Sequence, residues 1–461
     1  MADRQSRRRF LQNSAADGAA FSLIPASVLG ANEKINLACI GVGGRGTGLI
    51  KTLHATGMAN VVALCDVETD LRADKTKEVL KMFSKAPRFQ DFRKLFDKMA
   101  NQIDAVSIAV PDHSHFPIAM LAMSLGKHVY IEKPLAHTFQ EVELLMRAEK
   151  KYKVSAQMGN QGHSGNNYFQ FKAWTEAGII KNVTKVTAYM NKKRRWHGWN
   201  ITGYPTGEKT PKTLDWDTWL GTAADHDYSE KYNPGDWRSW YDFGNGAFGD
   251  WGPHTLDTVH RFLQLGLPVE VGAVRLEGHN TFVFPQASTI SFKFPARGEM
   301  PPMEITWYDG VNNLPPWPKE LEKEVEVKGR HNGDEEEDEL CGKIIYSDEL
   351  VFKGGTHGAT LRIIPESKMR EFGDRVPKIS GKHSDHAGNF LLSCKGAEKA
   401  RSSLDVSGPL TQVFLLGVIA QRLNGTLAFD HETKQITNNT LANQLLVGPP
   451  PRKGWEQYYT L

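Results

Sequence analysis

The stretch Ile35-Asn36-Leu37-Ala38-Cys39-Ile40-Gly41-Val42-Gly43-Gly44-Arg45-Gly46 decides the architecture of this chain. Its first six residues form a short apolar run with strand character. Gly41, Gly43 and Gly46 follow at once in Gly-x-Gly-x-x-Gly spacing, and Thr47–Ala55 reads as a helix. Strand, tight turn and helix N-terminus are the context this spacing requires. The first glycine permits the turn, the second lets backbone approach a pyrophosphate, and the third lets helix and strand pack closely. The helix N-terminus offers free N–H groups and the positive dipole end to an anion. Gly44 and Arg45 belong to the same anion-facing loop.

A second strand, Val61–Cys65, ends on Asp66, twenty residues past Gly46. A carboxylate there accepts hydrogen bonds from a ribose 2′-hydroxyl and repels a 2′-phosphate, which predicts NAD over NADP. Arg45 pulls mildly the other way, because an arginine in this loop could meet a phosphate. The alternation continues through helices Ala73–Phe83 and Asp91–Met99, strand Ala105–Val110, turn Pro111–His115 and helix Phe116–Leu125. Strand Val129–Ile131 and helix Thr138–Tyr152 follow. Strand–helix alternation with short links predicts a parallel, doubly wound sheet. Ligands bind such sheets beyond the carboxyl ends of the strands. Gly41–Gly46, Asp66, Pro111–His115 and Glu132–Pro134 all fall at that edge. His113 and His115, two apart in a turn with no third ligand nearby, read as residues flanking the nicotinamide ribose rather than as metal ligands. No metal is expected.

Tyr130-Ile131-Glu132-Lys133-Pro134-Leu135-Ala136-His137-Thr138 ends the last of these strands. Pro134 has no N–H for a ladder and holds Lys133 in an extended or turn geometry. The bland reading is a surface lysine at a strand end. Its distance from the glycine turn makes it instead a lysine aimed at the cofactor edge.

Length and composition bound the rest. The chain has 461 residues, too many for one core, which predicts two domains. Hydrophobic residues are 40% and charged residues 24%, with net charge +3 and mixed signs. That balance gives no argument for nucleic acid or a membrane surface. Cys39, Cys65, Cys341 and Cys394 form no Cys-x-x-Cys pair, and Cys39 and Cys65 fall in expected buried strands. Ser6-Arg7-Arg8-Arg9-Phe10-Leu11 matches the twin-arginine export pattern, and an Ala-rich, weakly apolar stretch follows to Leu29. That stretch is too short for a transmembrane helix. The expectation is an exported, periplasmic protein with residues 1–31 as signal. If the segment is only a basic tail, the protein is cytoplasmic.

These residues together resemble the glucose–fructose oxidoreductase / inositol dehydrogenase / rhizopine-catabolism (Gfo/Idh/MocA) family. The resemblance rests on Gly41–Gly46, Asp66, Pro111-Asp112-His113-Ser114-His115, Glu132-Lys133-Pro134 and Asp250-Trp251-Gly252-Pro253-His254, and spans roughly residues 34–455. It implies an N-terminal Rossmann domain, 34–155, that binds NAD. It implies a C-terminal α/β domain, 156–461, with a large open, mostly antiparallel sheet used for substrate and for homo-oligomers (dimer or tetramer). Family substrates are sugars, polyols and their derivatives. The resemblance adds Glu132, Lys133, Pro111, His113, His115 and Gln161 to the cofactor contacts. It also matches His386-Ala387-Gly388-Asn389-Phe390 to a late family segment.

In the second half, Asn166–Ala177 reads as a helix and Val183–Met190 as a strand. Lys192–Arg195 beside Trp196 and Trp199 reads as a substrate-cleft rim, with Trp237 and Arg238 on the same grounds, since indole faces stack on sugar C–H groups. No other basic stripe supports nucleic acid. Residues 200–236 read as an irregular connection. A helix starting near Asp250 places Asp250, His254 and Asp257 on one face. Residues 270–310 alternate as strands, 311–340 form an exposed insertion with an acidic run, Ile344–Phe352 and Thr360–Ile364 return as strands, and Leu410–Leu423 is a helix packing between the domains.

As a family member, the chain would use Lys133, Asp250 and His254 at the reacting centre. Hydride leaves a carbinol carbon for nicotinamide while a base takes the hydroxyl proton. His254 suits the base by its ordinary pKa, and Lys133 the stabilisation of alkoxide charge. The opposite assignment, with a desolvated Lys133 as base, is equally open. Three readings stand: oxidation of a sugar or glycoside hydroxyl, glycoside cleavage by oxidation, elimination and reduction with NAD recycled, and a non-catalytic sugar-binding protein.

Overall fold

In the computed structural model, which describes residues 34–192, 201–321, 340–377, 379 and 383–461, the first sheet has six parallel strands. They are β1 (Ile35–Ile40), β2 (Ala59–Cys65), β3 (Arg88–Phe89), β4 (Ala105–Ile108), β5 (His128–Ile131) and β6 (Ala156–Met158). Their order is β3-β2-β1-β4-β5-β6. Every residue of β4 and β5 is buried, as expected of strands covered on both faces. Chain order reverses between β1 and β4, which opens a crevice at their carboxyl ends. Cys39 and Cys65 are buried free thiols in β1 and β2. β3 is two residues long, too short to show any periodicity in sequence. Helix Phe139–Tyr152 begins on a capping box between Thr138 and Glu141.

The second sheet has nine strands in the order β13-β12-β11-β7-β10-β9-β8-β14-β15. These are β7 (Lys185–Met190), β8 (Glu270–Glu277), β9 (Ala287–Phe294), β10 (Met303–Asp309), β11 (Cys341–Tyr346), β12 (Val351–Gly354), β13 (Leu361–Ile364), β14 (Thr426–Asp430) and β15 (Gln435–Ile436). Only the β7–β10 pair is parallel.

Three expectations are corrected. Ile344–Phe352 is not one strand: the polar Ser347–Glu349 forms a turn, closed by Ser347 N donating to Leu350 O at 2.9 Å, and splits it into β11 and β12. The helix carrying Asp250 starts earlier, at Gly246, and stops at Thr255; a second helix runs Asp257–Phe262. Pro253 withholds an N–H from this helix. Asp257 therefore leaves the face shared by Asp250 and His254. The late helix is longer than expected, Leu404–Leu423.

That late helix packs on Phe139–Tyr152, on Gly246–Thr255 and on β8, tying the two sheets together. Glycines permit the approach: a Cβ on Gly408 would stand 2.4 Å from Met146 Sδ, and one on Gly417 2.8 Å from Phe248. Among the described residues it is the one helix long and apolar enough to cross a membrane, and 78% of its apolar window is buried inside the fold.

The connection 201–243 is more ordered than its composition suggests. It holds helix Trp216–Leu220 and an aromatic cluster of Trp219, Tyr228, Tyr232, Trp240 and Phe243. Its Thr213 carbonyl accepts from Thr69 N and its Asp215 N donates to Val67 O, so it straps onto the end of β2. The twin-arginine stretch, Trp196, Trp199 and the acidic run Asp334–Glu339 lie outside the described residues.

Candidate active site at the crevice between the sheets

A cleft of about 1190 Å³ runs from the glycine loop to the helix carrying Asp250. The glycines divide its labour. A Cβ on Gly41, at φ +83°, would lie 2.2 Å from Ala109 O, and one on Gly46 2.0 Å from Gly41 O. Both positions are closed to any side chain. Gly43 has free space on the cleft side, its nearest neighbours being Leu71 at 3.5 Å and Asp66 at 3.9 Å. Asp66 Oδ2 accepts from Val42 N at 2.8 Å and Gly43 N at 3.1 Å. Burial raises the Asp66 carboxyl pKa, opposed by these N–H donors. An open glycine backbone beside a strand-end carboxylate fits the pyrophosphate and ribose of NAD.

At the inner end, Lys133 Nζ donates to Asp250 Oδ1 at 2.5 Å and to Asp250 O at 2.9 Å. Arg238 Nη1 donates to the same Oδ1 at 2.6 Å, and its Nη2 lies 3.1 Å from Asp112 Oδ1. Asp112 Oδ2 in turn accepts from Asn245 N and Nδ2. Four charges thus alternate from Lys133 to Asp112. Burial lowers the Lys133 pKa from the ordinary lysine value, and Asp250 works against that. Two ammonium protons are engaged by Asp250, which leaves one for a ligand.

His254 lines the same cleft and is nearly buried, with Nδ1 unpartnered. Burial, then the Lys133 charge, holds its pKa well below 6.5, so the ring is neutral at physiological pH. It stacks on His357, with ring centroids 4.0 Å apart and planes at 20°. His357 belongs to the turn between β12 and β13 and also lines the cleft.

The remaining expected residues are placed as follows. Arg45 Nε donates to Glu132 Oε1 at 2.8 Å, and Gln161 Nε2 donates to Glu132 Oε1 and to Tyr130 Oη. Glu132 therefore anchors the loop and β6 side of the cleft. His115 lines the cleft with its ring nitrogens 2.8 Å from Pro134 O and 2.9 Å from Val110 O; Pro111 lines it too. His113 does not line it. Its ring sits among Trp219 and Phe243, with nitrogens 2.8 Å and 3.2 Å from their carbonyls, and burial lowers its pKa to about 4. That is the environment of a core histidine, which corrects the expectation of a cofactor contact. Gly46 faces Gly41 and Ala109 rather than the cleft, the close helix–strand packing read for the third glycine, so of its two expected roles the cofactor contact is the one corrected. Trp237 and Arg238 line it, with the guanidinium carbon 4.4 Å from the indole centroid. His357 was not singled out from sequence, and Asp112 and Trp251 stood in the quoted motifs without a role of their own. His357 lies in the turn Gly354-Gly355-Thr356-His357-Gly358, and a histidine among glycines between two strands was its only signal.

Comparisons with known proteins agree with this geometry. Residues 35–160 match the oxidoreductase family, NAD-binding Rossmann fold, and residues 171–283 match the C-terminal alpha/beta domain of the same family. A glycosyl hydrolase family 109 protein of Stenotrophomonas maltophilia is 37% identical over 143 residues, 29% of this chain and 31% of that protein. One from Saccharopolyspora erythraea is 30% identical over 187 residues, 35% of this chain and 40% of its own length. The match therefore spans less than half of these curated relatives. Among solved structures, the WlbA dehydrogenase of Chromobacterium violaceum in complex with NADH and UDP-GlcNAcA superposes with a TM-score of 0.55 at 15% identity, covering 87% of this chain and 97% of that one. Levoglucosan dehydrogenase in complex with NADH gives 0.53 at 16% identity, covering 86% and 98%. The chain belongs to the Gfo/Idh/MocA family of NAD-binding oxidoreductases.

Proposed function

We propose that this protein oxidises a hydroxyl carbon of a sugar or glycoside. The observation that carries the proposal is a neutral His254 on the same cleft wall as a Lys133 ammonium fixed by Asp250. When bound, nicotinamide supplies the hydride acceptor. The glycine loop and Asp66 hold the pyrophosphate and ribose ends. His254 takes the hydroxyl proton, and the free Lys133 N–H stabilises the developing alkoxide. Asp250 and Arg238 orient Lys133. The indoles of Trp237 and Trp251 line the cleft as faces for sugar C–H groups.

A second reading, net glycoside cleavage with the nucleotide recycled, is favoured by the relatives named glycosyl hydrolase family 109 proteins. Denaturing the purified protein and identifying released nucleotide, then screening glycosides for nicotinamide reduction and aglycone release, tests both. NAD or NADH with reduction by a glycoside is expected; NADPH as the sole bound nucleotide contradicts the Asp66 argument. We further propose export through the twin-arginine route, tested by blocking it with Arg7→Lys and Arg8→Lys together.

A further inference from the structure

We propose that His357 is a second proton-transferring residue of this site, which removes the proton from the substrate carbon adjacent to the newly formed carbonyl. The proposal rests on the glycoside-cleaving reading and assigns its elimination step.

Four hydrogen bonds fix the turn that carries His357. His357 N donates to His254 O at 3.1 Å, Thr356 Oγ1 donates to the same carbonyl at 3.2 Å, Lys343 Nζ donates to Gly355 O at 3.0 Å, and Asn167 N donates to Gly358 O at 3.0 Å. Lys343 is 1% exposed, so a buried ammonium is committed to holding this backbone. The turn also presses on the first domain's exit: a Cβ on Gly162 would lie 2.7 Å from the His357 carbonyl carbon. His357 has φ +53°, a left-handed conformation that a Cβ disfavours. A side chain held in that region at a cleft is held for its position.

The tautomer follows from Thr356. Its hydroxyl oxygen lies 3.2 Å from the His254 carbonyl and 3.0 Å from His357 Nδ1. With its single proton on the carbonyl it accepts from Nδ1–H, the arrangement the proposal uses, and Nε2 then keeps its lone pair. Burial lowers the pKa of His357, and Lys133 adds to this, which keeps that lone pair available near neutral pH. His254 and His357 thus present two neutral rings, stacked 4.0 Å apart, to one cleft. Packing alone would account for stacked rings. It does not account for a histidine held at positive φ, on a turn fixed by four hydrogen bonds, at the reacting end.

The chemistry needs two bases. Removing hydride and the hydroxyl proton from carbon three of a pyranoside leaves a ketone there. Carbon two then carries an acidic C–H, and the anomeric oxygen is β to the ketone. His357 Nε2 takes the carbon-two proton, and the C–H pair becomes the enolate. The pair returns to form the carbon-one to carbon-two double bond as the anomeric C–O bond breaks, and the departing oxygen takes the proton from His357. Water then adds to carbon one, giving its proton to His357 Nε2 and through it to carbon two, and reversal of the oxidation restores the carbon-three hydroxyl. The sum consumes one water.

The test uses the full-length protein and two probes, an aryl glucoside and the corresponding aryl 3-keto-glucoside. His357→Asn keeps a residue that tolerates positive φ, and Thr356→Val removes the tautomer-setting hydroxyl. Deuterium uptake at carbon two of the ketone is followed by NMR in deuterium oxide, and nicotinamide reduction by the glucoside is followed in a single turnover. His357→Asn is expected to slow deuterium uptake by about 100-fold or more, with Thr356→Val slowing it by a smaller factor, while nicotinamide reduction falls by far less. Uptake at the wild-type rate in His357→Asn overturns the proposal. So does a parallel loss of both reactions, which would place His357 in the oxidation step. If the wild-type protein reduces no nicotinamide with any glycoside, the oxidation reading fails. The ketone probe, which enters after oxidation, still decides the role of His357.

Discussion

Lys133 Nζ and Asp250 Oδ1, 117 positions apart in sequence, lie 2.5 Å apart where the edge of the first sheet meets the helix Gly246–Thr255. Arg238 shares the same carboxylate oxygen and continues to Asp112. This chain of charges makes the two cations unequal.

Lys133→Met leaves Asp250 paired with Arg238, so the fold should persist while turnover drops about 100- to 1000-fold through lost alkoxide stabilisation. Arg238→Met strands Asp112 and weakens Asp250, and should cost roughly 3–5 kcal/mol of stability. Steady-state kinetics and urea unfolding of the two variants separate these outcomes. Equal stability losses would contradict the asymmetry.

His254 titrates well below 6.5, because burial and then the Lys133 charge disfavour its protonated form. Its basic form is present above the lowered pKa. The kcat/KM profile should therefore stay level as pH falls through about 6.5, with its acid limb below. In Lys133→Met one of these causes is gone, so the limb should move up. A wild-type limb centred near 6.5 would count against His254 as the base.

His113, His128 and His260 are buried neutral, each with its pKa lowered to about 4, chiefly by burial. Between that value and the unfolded value of about 6.5, the unfolded chain binds more protons, so stability rises with pH in this window. The full contribution is present above about 6.5 and is lost as pH falls toward 4, up to roughly 3 kcal/mol for each ring. Urea midpoints should fall steadily between about pH 6.5 and 5. A flat profile there would contradict the burial argument.

Gly43 faces open cleft, whereas Gly46 touches the Gly41 carbonyl. Gly43→Ala should leave thermal stability nearly unchanged and weaken NAD binding, while Gly46→Ala should lower stability as well, because backbone must move. Thermal melts paired with calorimetric NAD titration distinguish the two.

Much of this site is legible in sequence because it is locally encoded. Gly41–Gly46, Asp66 and Lys133 each sit at a strand end whose apolar run announces it, and the parallel order places those ends on one edge. Asp250 and His254 are one helical turn apart, so they share a face whatever the tertiary context. The residues whose roles are not encoded locally depend on distant pairing. His357 reaches the cleft only because β11, β12 and β13 order its turn over His254. Asp112 matters through Arg238, 126 positions later by the numbering. His113 sits in the motif, but the aromatic cluster of 201–243 draws it into a core. Asp257 followed helical spacing on paper, and the break at Leu256 turned it toward His163, 3.5 Å away.

The most direct test of the central claim is a single-turnover measurement of nicotinamide reduction when NAD-loaded protein meets an aryl glycoside, comparing wild type with the double variant Lys133→Met and His254→Ala. The expected result is reduction of roughly one nucleotide per active site in the wild type and a rate lower by about 1000-fold or more in the variant. Undiminished reduction in the double variant would contradict the assignment of Lys133 and His254 to the reacting centre.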